Sequence, residues 1–408
     1  MPSNPRSERP KSESSPTDQV HEAILGQAGP IADMQCALDA ELAVSALLGG
    51  VYAVTKTGRD HAVHAFGADF GRYLAKRRTR QARAVRAGLA AVLPGDASAP
   101  TGKADSPAWV PAAGKVTCTG AWAVSDSYGD QTQYIATFSY ADPETGGPEH
   151  AVSCLVDHNL GFVKNVSIGV PAEQVVSSWQ QEAEQDDDIH IEPVAPGQLR
   201  ATVRSYLSRT DELPEPPEGT YPEERAFALG RLAVLPDSGE APRPTLSDEE
   251  RDVVVTNFLN SPEVAGLSGS APTHIVAWCA RGAVDFAVDD NAGDPLRWSP
   301  TAVEFMLLRW APEQLSGRHE AAPWLPEVLD AFVAYAGRVK GQSATALAAT
   351  RDMVTECAAA YTDEISGDSL GEPVTDVLAR MVADGVDPMD EEQVLAWVLA
   401  DRERRDEG

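Results

Sequence analysis

Between Val116 and Ile168 the chain alternates apolar with small or polar residues in four successive runs. Val116, Cys118, Trp122 and Val124 alternate with Thr117, Thr119, Ala121 and Ala123. Tyr134, Ala136, Phe138 and Tyr140 make a second run, Val152, Cys154 and Val156 a third, and Phe162, Val166 and Ile168 a fourth. Side chains of a strand point alternately to opposite faces, so a period of two predicts strands with one buried face. The breaks carry Asp126-Ser127-Tyr128-Gly129-Asp130, then Asp142-Pro143 with Gly146-Gly147, then Asp157-His158-Asn159-Leu160-Gly161. Gly accepts positive φ, and Asp and Asn bond their own backbone, so these are turns. Short turns join antiparallel neighbours. An apolar sheet face needs a cover, and the flanking helical stretches can supply one.

Those stretches have their own signals. Asp18 is placed to cap a helix over 19–25. After Gly29-Pro30, Ile31, Met34, Leu38, Leu42, Leu47 and Leu48 recur at helical steps, and Gly49-Gly50 either ends that helix or lets another pack closely. Residues 60–93 read as helical, with Phe66, Phe70, Tyr73, Leu74, Val85 and Leu89 as the apolar stripe. Further helices are expected over 171–181, 196–207 and 223–233, a short fifth strand at Ile189-His190-Ile191, and an extended linker over 211–222. From Ser247 onward the pattern is helical, opened by the capping box Ser247-Asp248-Glu249-Glu250. The expected fold is α+β: N-terminal helices packed on a four- to five-stranded antiparallel meander, followed by an all-helical C-terminal domain. The expected layout is a disordered tail over 1–17, the meander domain over 18–209, and a Pro-rich linker region with one helix over 210–245. A helical domain over 246–403 and an acidic tail over 404–408 complete it.

Charge narrows the partners. With 33 basic and 62 acidic residues the net charge is −29. Such a chain repels nucleic acid and anionic membrane unless its cations are segregated, so a protein partner is the expectation. There is no unbroken apolar stretch of roughly 18 residues to span a bilayer, and no secretory signal. Five scattered cysteines without a Cys-x-x-Cys pair fit reduced thiols and a cytoplasmic location. Oligomeric state is not legible.

The best polar cluster is the turn Asp157, His158 and Asn159, whose carboxylate, imidazole and amide are candidate ligand-binding groups that could bind a metal or move a proton. All three are also ordinary turn residues. With Trp122, Tyr134 and Phe138 they would line a pocket between the meander and its helices. His150 begins the strand that ends in this turn, roughly 25 Å away by the rise of a strand. His61 and His64 sit at a helical i, i+3 spacing, but no Glu supplies the zinc-hydrolase pattern and further ligands cannot be named, so neither metal nor cofactor is implied. Arg72, Lys76, Arg77, Arg78, Arg80 and Arg83 form a basic stretch against the charge of the whole chain. It could contact nucleic acid, or pair with the acidic run from Glu182 to Asp188. Gly-x-Ser-x-Gly, the phosphate loop and the dinucleotide fingerprint are missing, and Gly266-Leu267-Ser268-Gly269-Ser270-Ala271 lies between helices rather than after a strand.

Three fragments resemble those of an uncharacterised actinobacterial protein family of unknown function. They are Glu41 to Gly49, His150 to Gly161, and Asp294-Pro295-Leu296-Arg297-Trp298-Ser299-Pro300, with the Trp324-Leu325-Pro326 helix start beside them. The resemblance implies a shared architecture and carries no activity. The residues point first to a non-enzymatic binding or regulatory module. A small-molecule-binding protein or enzyme using the meander pocket is the alternative, and nucleic-acid contact through 72–86 the second alternative.

Overall fold

The computed structural model describes residues 15–93, 95, 105–238, 246–267, 271–314, 320–366 and positions 380, 381, 383, 384, 386, 393 and 397. The chain divides into two compact units. The first holds Met1–Thr245 and Val288–Ser299, the second Leu246–Ala287 and Pro300–Gly408.

The first unit opens with α1 (Pro16–Gln27), a 3₁₀ turn (Gly29–Asp33), α2 (Ala37–Val54), α3 (Arg59–Ala75) and α4 (Arg80–Val92). The meander follows as β1 (Val116–Asp126), β2 (Gln131–Tyr140), β3 (His150–Asp157) and β4 (Phe162–Gly169), with the short α5 (Pro143–Gly146) between β2 and β3. Then come α6 (Ala172–Gln185), β5 (Ile189–Pro193), α7 (Pro196–Glu212) and α8 (Tyr221–Val234). The sheet is antiparallel throughout, in the order β4-β3-β2-β1-β5, so the expected α+β architecture and the fifth strand are both present.

The sheet has two unlike faces. α1 to α4, α7 and α8 bury the larger one, where Ala136, Phe138, Tyr140, Val152, Cys154, Val156, Val163 and Val166 join the helices in a single core. α6 covers the other, with Val124, Ile135, Ala151, Ala172 and Val176 at the centre and Trp122 and Trp179 half-buried around them.

A bulge decides which face each residue of β1 takes. Cys118 pairs with Phe138 and Gly120 with Thr137, so Thr119 is an extra residue in the register, without an opposed residue of its own in β2, though its hydroxyl meets Thr137 Oγ1 at 2.7 Å. One extra residue sends every later side chain to the opposite face. Val116 and Cys118 therefore join the helix-covered core, while Trp122 and Val124 join the α6 side. The single alternating face read from Val116 to Val124 is corrected accordingly.

Several helix boundaries differ from expectation. α1 starts at Pro16 and is capped by Ser15, whose Oγ accepts from the Asp18 N–H, in place of Asp18 itself. The 60–93 stretch is two helices, broken between Ala75 and Arg80 and restarted by Thr79 as N-cap. α2 runs through Gly49-Gly50. A Cβ on Gly49 would lie 2.6 Å from the Pro222 carbonyl, so this glycine is where α8 meets α2. Ser45 joins the same two helices: its hydroxyl donates to Glu223 O (2.6 Å) and accepts from Phe227 N (2.9 Å). The helix expected inside a linker is thus a core helix, with Tyr221 and Phe227 fully buried, and α7 continues through Asp211 to Glu212, where an extended segment was expected to open. By length and composition α2 could cross a membrane. In this fold its Ala37, Leu38, Ala40, Val44 and Leu48 are core residues.

The second unit is helical among its described residues: α9 (Asp248–Leu259), α10 (Thr273–Asp285), α11 (Pro300–Phe305), α12 (Ala311–Gln314), α13 (Leu325–Lys340) and α14 (Ala344–Ser366). The capping box at Ser247 and Glu250 forms as read. Phe258 of α9 packs edge-on to Phe332 of α13 at 5.0 Å. Arg281 of α10 reaches Asp248, Asp252 and Asp285. The part of the expected helical pattern that falls beyond Ser366, and the acidic tail, lie outside the described residues but for isolated positions. So do residues 1–14 and Ser268, Gly269 and Ser270.

Candidate functional site

The Asp157–Gly161 turn sits at the same end of the sheet as the β1–β2 turn, because β2 and β3 pair Gln131 with Asp157 at that end. Each turn is built by an aspartate. Asp126 Oδ1 accepts from Tyr128 N (2.9 Å) and Asp130 N (3.2 Å). Asp157 Oδ1 accepts from Leu160 N (2.8 Å), while its Oδ2 meets Gln131 Nε2 (3.3 Å) and Lys164 Nζ (3.5 Å). Gly129 and Gly161 take φ of 68° and 76°, a region that favours glycine. A backbone bond from His158 N to Asp130 O (2.8 Å) ties the two turns together.

His158 is spoken for at both ring nitrogens. Nε2 pairs with Thr132 Oγ1 at 2.9 Å and Nδ1 with Tyr206 Oη at 2.8 Å. A neutral imidazole offers one donor and one acceptor, and two hydroxyls can complement either tautomer. Burial, assisted by the Arg297 charge, lowers its pKa to about 4.

Arg297, from the segment Val288–Ser299, clamps the two turns. Nη1 donates to Asp130 Oδ1 (2.8 Å) and Gly129 O (3.3 Å). Nη2 donates to Asn159 Oδ1 (2.8 Å) and to the side chain of Asn291. The guanidinium is only 9% exposed, and burial depresses its pKa even with Asp130 beside it. Burial likewise raises the Asp130 pKa. Sequence reading reached Asp157, His158 and Asn159 but missed Arg297, Asn291, Tyr206 and Thr132. Arg297 lies 167 residues from Asp130, and no local pattern reports a pairing of that range.

The expected pocket does not assemble from its named residues. Trp122 is on the α6 face because of the bulge, whereas Tyr134 and Phe138 pack into the helix-covered core. Burial pushes the Tyr134 pKa up to about 12, and Phe138 has no exposed surface.

A second polar group lies inside that core. Arg231 of α8 donates from Nε to His150 Nε2 (2.9 Å), and from Nη2 to Glu41 Oε2 and Tyr140 Oη (both 2.6 Å). Glu41 Oε1 accepts from Gly114 N, and Phe227 lies 4.1 Å under the guanidinium. His150 Nδ1 meets Pro148 O at 3.2 Å, so Nδ1 carries the proton and Nε2 accepts. Burial, with Arg231 beside it, lowers the His150 pKa to about 4. Arg231, Glu41, Tyr140 and His150 are all buried.

The basic stretch is spread over the α3–α4 break. Arg72 pairs with Asp69 (3.0 Å), Arg77 with Glu22 (3.0 Å) and Arg80 with Asp33 (2.7 Å). These partners come from α1, α3 and the 3₁₀ turn, where pairing with Glu182 to Asp188 had been an option. Lys76 and Arg78 are exposed, and Arg83 Nη1 is buried with no hydrogen-bond partner among the described residues. His64 meets Asp60 at 3.6 Å, His61 is exposed, and no group of three or more His, Cys, Asp or Glu among the described residues is placed to hold a metal.

Compared with known proteins, the chain matches no family, no curated protein and no solved structure.

Proposed function

We propose that the protein is a non-enzymatic binding or regulatory module that acts on a partner in the cytoplasm. The observation that carries this reading is the state of His158. A general base needs a free, titratable lone pair within reach of a substrate. His158 has both nitrogens bonded within the fold and a pKa of about 4. His150 is engaged in the same way. The five cysteines, all unpaired, fit a reducing compartment.

The test is purification of the tagged chain from its native host, followed by reconstitution of any co-purifying molecule with the pure protein. A stoichiometric complex that raises the melting temperature is expected, since a ligand that binds only the native state stabilises it. Substrate turnover that is lost in His158→Gln, in a variant that still folds, would overturn the reading.

A further inference from the structure

The acidic run from Glu182 to Asp188 is left over once Arg72, Arg77 and Arg80 have found their partners in α1, α3 and the 3₁₀ turn. Glu182, Glu184, Asp186 and Asp187 are exposed, and among the described residues none of the four is in an ion pair. They crowd the last turn of α6, which holds no basic residue, and the turn that leads into β5. A helix C-terminus is equivalent to about half a negative charge and favours cations, so these acids sit where their own chain repels them.

The strand they lead into is an open edge. Of the two edges of the sheet, β4 is closed: α7 and α8 pack along it, Val163 and Val166 are fully buried, and Val163 N donates to Thr210 Oγ1 of α7 (2.9 Å). β5 has no buried residue, and His190, Glu192 and Pro193 are exposed. Val194 N donates to Ala121 O (3.0 Å), which fixes the pattern of the ladder. His190 and Glu192 turn their backbone groups toward β1, and Ile189, Ile191 and Pro193 turn theirs outward. Asp186 O takes the Ile189 N–H (3.1 Å) and proline has none. The edge therefore offers the Ile191 N–H and the carbonyls of Ile189, Ile191 and Pro193. On the face covered by α6, Ile189, Ile191 and Trp179 are only partly buried. An extended backbone can pair with such an edge and set alternate side chains against that apolar strip.

Charge selects the occupant. Pairing of this edge with the same edge of a second copy would bring two acidic runs and two Glu192 side chains together, and like charges across a strand pair repel. Lysine or arginine on an incoming strand meets carboxylates that have no cation of their own.

We propose that the outer edge of β5 docks an extended, lysine- or arginine-rich segment of another protein, which pairs with Ile191 and is held by the carboxylates at the end of α6. The inference rests on the binding reading and names a class of partner for it.

Fluorescence anisotropy of a short, capped, dye-labelled peptide of alternating lysine and valine, titrated at low salt with the full chain, tests it. A second peptide of the same sequence with methylated backbone nitrogens keeps every charge but cannot donate to the edge carbonyls. Glu182→Gln, Glu184→Gln and Asp187→Asn, combined, remove three exposed charges at the end of α6. Asp352→Asn, Glu356→Gln and Asp363→Asn, combined, remove three exposed charges of α14 and serve as control. The melting temperatures of both triple variants are checked against the parent. Saturable binding of the first peptide is expected, weakened about tenfold in the α6 variant by the loss of surface charge contacts, unchanged in the α14 variant, and lost with the methylated peptide. Absence of saturable binding overturns the proposal. So does equal weakening in the two triple variants, which would mean attraction to the net charge alone. Equal binding of the methylated peptide would mean that no strand pairs there, and overturns it as well. Each of these results leaves the binding reading to its own experiment, and His158-dependent turnover would overturn that reading without bearing on this edge.

Discussion

At His158, burial and the neighbouring Arg297 charge act in the same direction and bring the pKa down from 6.5 to about 4. The sign of the effect on stability follows. The folded-state pKa lies below the unfolded one, so between the two the unfolded chain takes up the proton first. The contribution is complete above the unfolded pKa and is lost as pH falls toward the folded value. A drop of this size corresponds to roughly 3 kcal/mol for one group. Urea melts from pH 7 to 4 should show stability falling over this range, and His158→Gln should flatten the slope; an unchanged slope would contradict it. Arg297 gives a second prediction. Arg297→Ala leaves Asp130 and Asn291 without their partner and should cost roughly 3 kcal/mol in urea melts. Arg297→Lys should recover only part, because a point charge cannot reach Asp130 and Asn159 together as a planar fork does. A change below about 1 kcal/mol, typical of exposed pairs, would refute the clamp.

Among the elements, α2 and α8 give a contrast between adjacent residues. Gly49→Ala forces a Cβ to within 2.6 Å of the Pro222 carbonyl, whereas a Cβ on Gly50 meets nothing within 4 Å. Gly49→Ala should destabilise by about 2 kcal/mol as overpacking, and Gly50→Ala should stabilise by about 0.5–1 kcal/mol from helix propensity. Chemical denaturation of both variants checks it, and equal effects would mean that the two helices do not meet there. The elements were also where sequence was most informative. Period-two alternation located all four meander strands, and Ser247 with Glu250 marked the start of α9, because both signals are local. The face of Trp122 was not legible, since Thr119 shows its lack of an opposed residue only once β2 is alongside. α8 looked like part of a linker because prolines flank it, while its burial depends on α2, more than 170 residues earlier in the chain. The site divides the same way: Asp157, His158 and Asn159 stood out as a turn, and the arginine that holds them did not.

Over the whole molecule, the first unit is discontinuous in sequence, because Val288–Ser299 belongs with Met1–Thr245. A chain ending at Thr245 lacks Arg297 and Asn291 and should exchange amide hydrogens faster in both turns, 126–130 and 157–161, than the full chain does. Equal protection would mean that the segment is dispensable to this unit. His150 and His158, at the two ends of β3, are both bonded into the frame, while His190 of β5 is exposed; the bonding of those two is what directs the functional reading from catalysis toward binding. The most direct test is the pH titration of His158 by NMR in protein carrying ¹³C-labelled histidine, with the resonance assigned from its absence in His158→Gln. A midpoint at about 4 is expected for a ring closed off by Thr132, Tyr206 and Arg297. A midpoint near the ordinary value of about 6.5 would mean that the imidazole meets water and is free to move protons, and would contradict the binding reading at its base.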